Sequence, residues 1–114
     1  MRVLIVEDDA GIGESLVELL ESEGYHVSWG RDGVEGLQLM AESEPDVMLL
    51  DLKMPRMDGF QFRAAQKIDP RHSGIPVIVL SAHARADEVD AAAFVPKPFD
   101  VPTLLDVVGR HAVA

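Results

Sequence analysis

Val47-Met48-Leu49-Leu50-Asp51-Leu52-Lys53-Met54-Pro55-Arg56-Met57-Asp58-Gly59 decides how the rest of the chain is read. Val47 to Leu50 form a continuous apolar run, the pattern of a strand covered on both faces in a parallel sheet. The run ends in an acid. Asp51 opens a loop that carries Pro55 and closes on Asp58-Gly59. A carboxylate placed there is held by the sheet yet faces outward, which makes Asp51 a candidate nucleophile. Taken alone, an acid at a strand end is more often a loop or helix cap, so its neighbours have to decide.

The same grammar recurs on both sides. Val3-Leu4-Ile5-Val6 is a second buried-strand run, followed by Glu7-Asp8-Asp9. Ile12, Leu16, Leu19 and Leu20 then recur at helical spacing until Gly24, a helix stop. Tyr25 to Trp29 alternates and predicts a strand nearer the sheet edge. Asp32 is a good N-cap for a helix carrying Val34, Leu37, Met40 and Ala41, which Pro45-Asp46 ends.

Beyond the Asp51 loop, a third helix starts at Asp58 or Gly59 with Phe60, Phe62, Ala65 and Ile68 inward. Val77-Ile78-Val79-Leu80 is a fourth strand ending at Ser81. A fourth helix (helix 4) is expected over residues 82–92, then a short strand Ala93-Phe94-Val95 and the segment Pro96-Lys97-Pro98-Phe99. Asp100 caps a last helix, with Pro102 in its first turn and Val101, Leu104, Leu105 and Val108 on one face.

Strand and helix thus alternate five times, which implies a parallel sheet with helices on both faces and right-handed crossovers. The natural arrangement is a flavodoxin-like, doubly wound α/β fold of five strands in the order 2-1-3-4-5. Ligands of such sheets sit at the carboxyl ends of the strands, at the switch point.

The 114 residues fit one domain, 1–114, and can bury an ordinary core. There is no cysteine, so disulfides and thiolate metal sites are excluded. No apolar run approaches the ~20 residues that span a bilayer. Met1-Arg2 leads straight into the first strand and its acids, so no signal peptide is read and a cytoplasmic protein is expected. A net charge of -10 argues against nucleic acid as a direct partner, since phosphate backbones call for basic stripes.

The carboxyl ends of the strands collect Glu7, Asp8 and Asp9, then Asp51, Ser81 and Lys97. Each has an ordinary explanation. The three acids could favour a helix dipole, Ser81 could be a cap, and Lys97 a solvated loop lysine. Their meeting on one rim changes the reading. Clustered carboxylates repel, and a hard divalent cation such as Mg²⁺ removes that cost through oxygen ligands. A bound cation, Lys97 and the Ser81 hydroxyl could together receive a phosphoryl group arriving at Asp51.

Leu4-Ile5-Val6-Glu7-Asp8-Asp9, Asp51 to Gly59, Leu80-Ser81-Ala82 and Phe94-Val95-Pro96-Lys97-Pro98-Phe99 resemble, in order, the receiver domain of two-component response regulators. The resemblance covers essentially the whole chain. It implies that Asp51 is the phosphoacceptor, served by a histidine kinase or histidine phosphotransfer protein, with autodephosphorylation by an in-line water. It implies Mg²⁺ (or Mn²⁺) at Asp8, Asp9, Asp51 and the backbone carbonyl of Lys53. It makes Ser81 and Phe94 the switch pair, Lys97 the phosphate partner, and the Lys97–Pro98 bond cis, a geometry that only about 5% of X-Pro bonds adopt. Lys53 and His83, two residues after Asp51 and Ser81, are expected to tune phosphoryl lifetime. Such a domain signals through a protein-interaction surface rather than turning over a substrate. Its further partner would be a downstream protein target or an effector domain absent from these residues.

One departure concerns helix 4. From Ser81 to Lys97 there are 97 − 81 = 16 steps. The family usually has about six more, roughly 9 Å of helix. A shortened or atypical helix 4 is expected, with an altered output face. It is the one support for a competing reading, a receiver-fold interaction module not switched by phosphorylation. A hydrolase of the haloacid dehalogenase type would place a second Asp where Lys53 stands.

Overall fold

The three apolar runs at residues 3–6, 47–50 and 77–80 are buried along their whole length, because each is covered by helices on both faces. The computed structural model describes residues 1–54, 56–82 and 90–112. In order these form β1 (Arg2–Val6), α1 (Ala10–Ser22), β2 (His26–Gly30), α2 (Gly33–Ser43), β3 (Val47–Leu50), α3 (Gly59–Lys67), β4 (Val77–Ser81), β5 (Ala93–Pro96) and α4 (Val101–His111). Of the fourth helix expected over residues 82–92, residues 83–89 lie outside the described residues. The label α4 therefore belongs to the C-terminal helix.

All strand pairings are parallel and the sheet order is β2-β1-β3-β4-β5, the expected flavodoxin-like arrangement. Side chains alternate between its two faces. Val3, Ile5, Val47, Leu49, Ile78 and Leu80 pack with Leu16 and Leu20 of α1 and Leu104 and Val108 of α4. Leu4, Val6, Met48, Leu50, Val77 and Val79 pack with Met40 of α2 and Phe62 of α3. Trp29 and Val27 on the edge strand β2 are only partly buried.

The caps follow the sequence. Asp32, Asp58 and Asp100 accept the backbone N–H of Glu35, Gln61 and Thr103, and Asp58 with Gln61 completes a capping box. Three expectations need correcting. β2 runs from His26 to Gly30 rather than from Tyr25 to Trp29, because Tyr25 still closes the α1 terminus by donating to Leu20 O. The inward row of α3 is Phe62 and Gln66, and Ile68 is 84% exposed as the helix C-cap. Gln66 tolerates full burial because its amide nitrogen donates to the carbonyls of His72 and Ile75, at 2.9 and 3.2 Å. On α2, Gly36 and Met40 are buried whereas Ala41 and Val34 are exposed. Among the described residues no helix is long and apolar enough to cross a membrane.

Candidate functional site

The period of the central strands builds the site. Ile5 and Leu49 face α1 and α4, and two residues on, Glu7 and Asp51 continue the same row past the strand ends. Asp51 N–H donates to Val6 O at 2.9 Å, which keeps the row in register with β1. Val95 of β5 faces the same way, and two residues beyond it Lys97 arrives at both acids. Its ammonium lies 2.9 and 3.0 Å from the Glu7 carboxylate oxygens and 3.6 Å from Asp51 Oδ1. Lys97 N–H donates to Ser81 O at 3.3 Å, tying this segment to the end of β4. The Lys97–Pro98 bond is cis.

These groups line an open cavity of about 390 Å³ together with Asp8, Asp9, Ile12, Lys53 and Ala82. Glu7, Asp8 and Asp51 each offer a carboxylate oxygen, and these lie within 4.8 Å of one another. Glu7 and Asp51 are buried, whereas Asp8 is exposed at the mouth. Burial pushes the Glu7 carboxyl up to about 7, against the pull of Lys97 and with the help of the Asp51 charge. Burial likewise raises Asp51, although Lys97 and the Lys53 N–H favour its ionised form. One ammonium thus leaves this acid cluster short of positive charge. The donors are all hard oxygens, and no thiolate exists in the chain. That set fits Mg²⁺ or Mn²⁺.

Asp9, expected beside Asp8 as a cation ligand, also has a structural duty. Its side-chain oxygen accepts the Ile12 N–H at 2.9 Å as the N-cap of α1. It borders the cavity, while the three acids that lie within 4.8 Å of one another are Glu7, Asp8 and Asp51. The alternation of Ile5 with Glu7 was the signal that could have found this. Ser81 is buried in the cavity wall. Phe94 sits on β5 beside Val79, 44% exposed, and does not line the cavity. Lys53 lines it, while His83 lies outside the described residues.

The loop after Asp51 is pinned twice. Gly59 N–H donates to Leu52 O at 2.9 Å, and a Cβ on Gly59 would stand 2.5 Å from Asp51 O, so only glycine allows that approach. On the far side, Arg56 Nε donates to Asp32 at 2.6 Å, and Gly33 N–H donates to Met57 O at 3.1 Å. Burial works to raise Asp32, but the Glu35 N–H and the Arg56 guanidinium outweigh it and hold its carboxyl below the ordinary value. This ion pair, invisible to local sequence patterns, anchors the loop to the start of α2.

The family described as response regulator receiver domain matches residues 3–109. Response regulator MprA of Mycobacterium avium (strain 104) is 38% identical over 111 residues, covering 92% of this chain and 48% of its own length. The chain therefore spans about half the length of the curated relatives it matches. The signal receiver domain of a signal transduction histidine kinase from Syntrophus aciditrophicus superposes with a TM-score of 0.89 at 32% identity, over 97% of this chain and 89% of that one. The non-phosphorylated HemR receiver domain from Leptospira biflexa gives 0.85 at 34% identity, over 99% and 94%. With the sheet order, the rim of acids and the lysine that follows β5 already in place, the chain belongs to the response regulator receiver domain family.

Proposed function

We propose that the domain accepts a phosphoryl group on Asp51 from a histidine kinase or histidine phosphotransfer protein, and that this switches a protein-interaction surface. The convergence of Lys97, Glu7 and Asp8 on Asp51 at the rim of the sheet carries this reading. An Asp51 carboxylate oxygen attacks the phosphorus. The bond from phosphorus to the donor nitrogen breaks, and its electron pair leaves with the imidazole, which takes up a proton. In the reverse duty, water attacks the phosphorus, the Asp51 O–P bond breaks, and carboxylate and inorganic phosphate are released.

Asp8, Asp51 and Glu7 would hold Mg²⁺ or Mn²⁺, with the Lys53 carbonyl as a further ligand. When bound, that ion neutralises charge on the acids and the phosphoryl oxygens. Lys97, already 3.6 Å from Asp51 Oδ1, is within reach of a phosphoryl oxygen there. Ser81 would donate its hydroxyl to another, and Phe94 on the neighbouring strand would turn inward as Ser81 moves. Lys53 borders the approach of the hydrolytic water, so it and His83 would tune phosphoryl lifetime. Incubation with a small phosphodonor and Mg²⁺ tests the proposal, with Asp51→Asn as the control that must stay unmodified. The competing reading, a module indifferent to phosphate, leaned on residues 82–92, most of which lie outside the described residues.

A further inference from the structure

Glu7 is held at both ends of its backbone by β2. Its N–H donates to Gly30 O at 3.0 Å, which extends the strand ladder by one residue. Its carbonyl accepts instead from a side chain, the indole Nε1–H of Trp29, at 2.9 Å. Trp29 is the one tryptophan of the chain. Its ring is wedged against α1 where Gly13 leaves room, since a Cβ there would stand 2.0 Å from Trp29 Cζ2. The Arg31 guanidinium carbon lies over the ring, 4.3 Å from its centroid.

A ring needed only to cover apolar surface would carry no polar requirement, and Phe would serve. Here the indole N–H reaches the carbonyl of the peptide that joins Glu7 to Asp8. That peptide is planar, so fixing its oxygen fixes the plane from which the Asp8 residue departs. Asp8 is the exposed member of the acid cluster, and no strand ladder reaches it. We propose that Trp29 is a positioning residue for the cation site. By setting the Glu7–Asp8 peptide plane, it holds these two acids around Asp51 for a divalent cation. The idea rests on the reading of Glu7, Asp8 and Asp51 as the Mg²⁺ site.

The test is calorimetric titration with Mg²⁺ on the folded native chain, Trp29→Phe and Gly13→Ala, with thermal unfolding of each recorded without metal. Trp29→Phe keeps an aromatic wedge and removes the N–H. Its Mg²⁺ affinity is expected to fall on the order of tenfold, as when an outer-shell partner is lost. Gly13→Ala keeps the indole but pushes it from its slot, and should weaken Mg²⁺ in the same direction. A packing role alone would lower the unfolding temperature of Trp29→Phe and leave its Mg²⁺ affinity at the native value. That result would overturn the proposal while the cation site stands. A native chain that takes up no Mg²⁺ would overturn the site and the proposal together.

Discussion

The Lys97 ammonium is bonded to both carboxylate oxygens of Glu7, at 2.9 and 3.0 Å, across a sequence separation of 90 residues. Removing one partner of a buried pair strands the other. Lys97→Met should therefore destabilise the metal-free protein by about 3 kcal/mol at about pH 8, where an ionised Glu7 has lost its partner. Near pH 5 the loss should shrink, because a protonated Glu7 needs no cation. Phosphoryl uptake should fall on the order of 100-fold through the loss of charge stabilisation. Urea unfolding at the two pH values, with a phosphodonor time course, checks all three.

The native protein should carry the same signature in its own pH profile. Glu7 titrates near 7 in the folded chain against an ordinary value of 4.5, mainly through burial. Between those values the folded state binds more protons than the unfolded one, so stability is greatest on the acid side and declines as pH rises through about 7. Asp51, also raised by burial, acts in the same direction. Asp32 acts oppositely. Its carboxyl is held below 3.8, so its contribution is present above that value and lost as pH falls through the folded value. Metal-free unfolding midpoints should therefore rise from about pH 8 to about pH 5 and drop again below about pH 4. Saturating Mg²⁺ should raise the midpoint most at the alkaline end. A metal-free midpoint flat from pH 5 to 8 would contradict the burial of these acids.

The three acids after β1 should separate cleanly. Asp9→Asn keeps a good N-cap and should change Mg²⁺ affinity by no more than about twofold, because asparagine caps a helix as well as aspartate does. Asp8→Asn and Glu7→Gln should each weaken Mg²⁺ by roughly tenfold or more, through loss of a carboxylate near the ion or of its hydrogen-bonded support. Calorimetry on the three variants decides the order. A tenfold loss in Asp9→Asn alone would make Asp9 the ligand and contradict this order.

Gly59→Ala places a methyl group 2.5 Å from Asp51 O and 2.6 Å from Leu52 Cα, both backbone atoms. The loop must shift, at a cost of about 1–3 kcal/mol in stability. The phosphoacceptor moves with it, and a displacement near 1 Å can slow a positioned reaction by on the order of 100-fold. Unchanged phosphoryl uptake in a destabilised Gly59→Ala would show that Asp51 is held independently of this contact.

How much of this could be read in advance follows from the range of each signal. The sheet order followed from continuous apolar runs alternating with capped helices, all local features. Asp51 and Lys97 stood out because each immediately follows a strand. The Glu7-Asp8-Asp9 run was legible as a cluster but not in its division of labour. Strand parity turns Glu7 inward, and the helix that begins at Ala10 claims Asp9 as its cap. Ile68 was misplaced because Gln66, a polar residue, fills the inward slot through bonds to carbonyls in a turn that only tertiary structure brings near. The Trp29 bond to Glu7 and the Arg56 bond to Asp32 join residues more than 20 apart in the chain, and neither leaves a periodic trace.

The central claim is that Asp51 takes a phosphoryl group in a site assembled with a divalent cation. Intact mass after incubation with acetyl phosphate tests it most directly. The native chain with Mg²⁺ should gain one phosphoryl group, lose it again over time, and gain none when a chelator replaces the metal. Asp51→Asn should gain none under any of these conditions. A native chain that stays unmodified with Mg²⁺ present, or an Asp51→Asn chain modified to the same extent, would contradict the account.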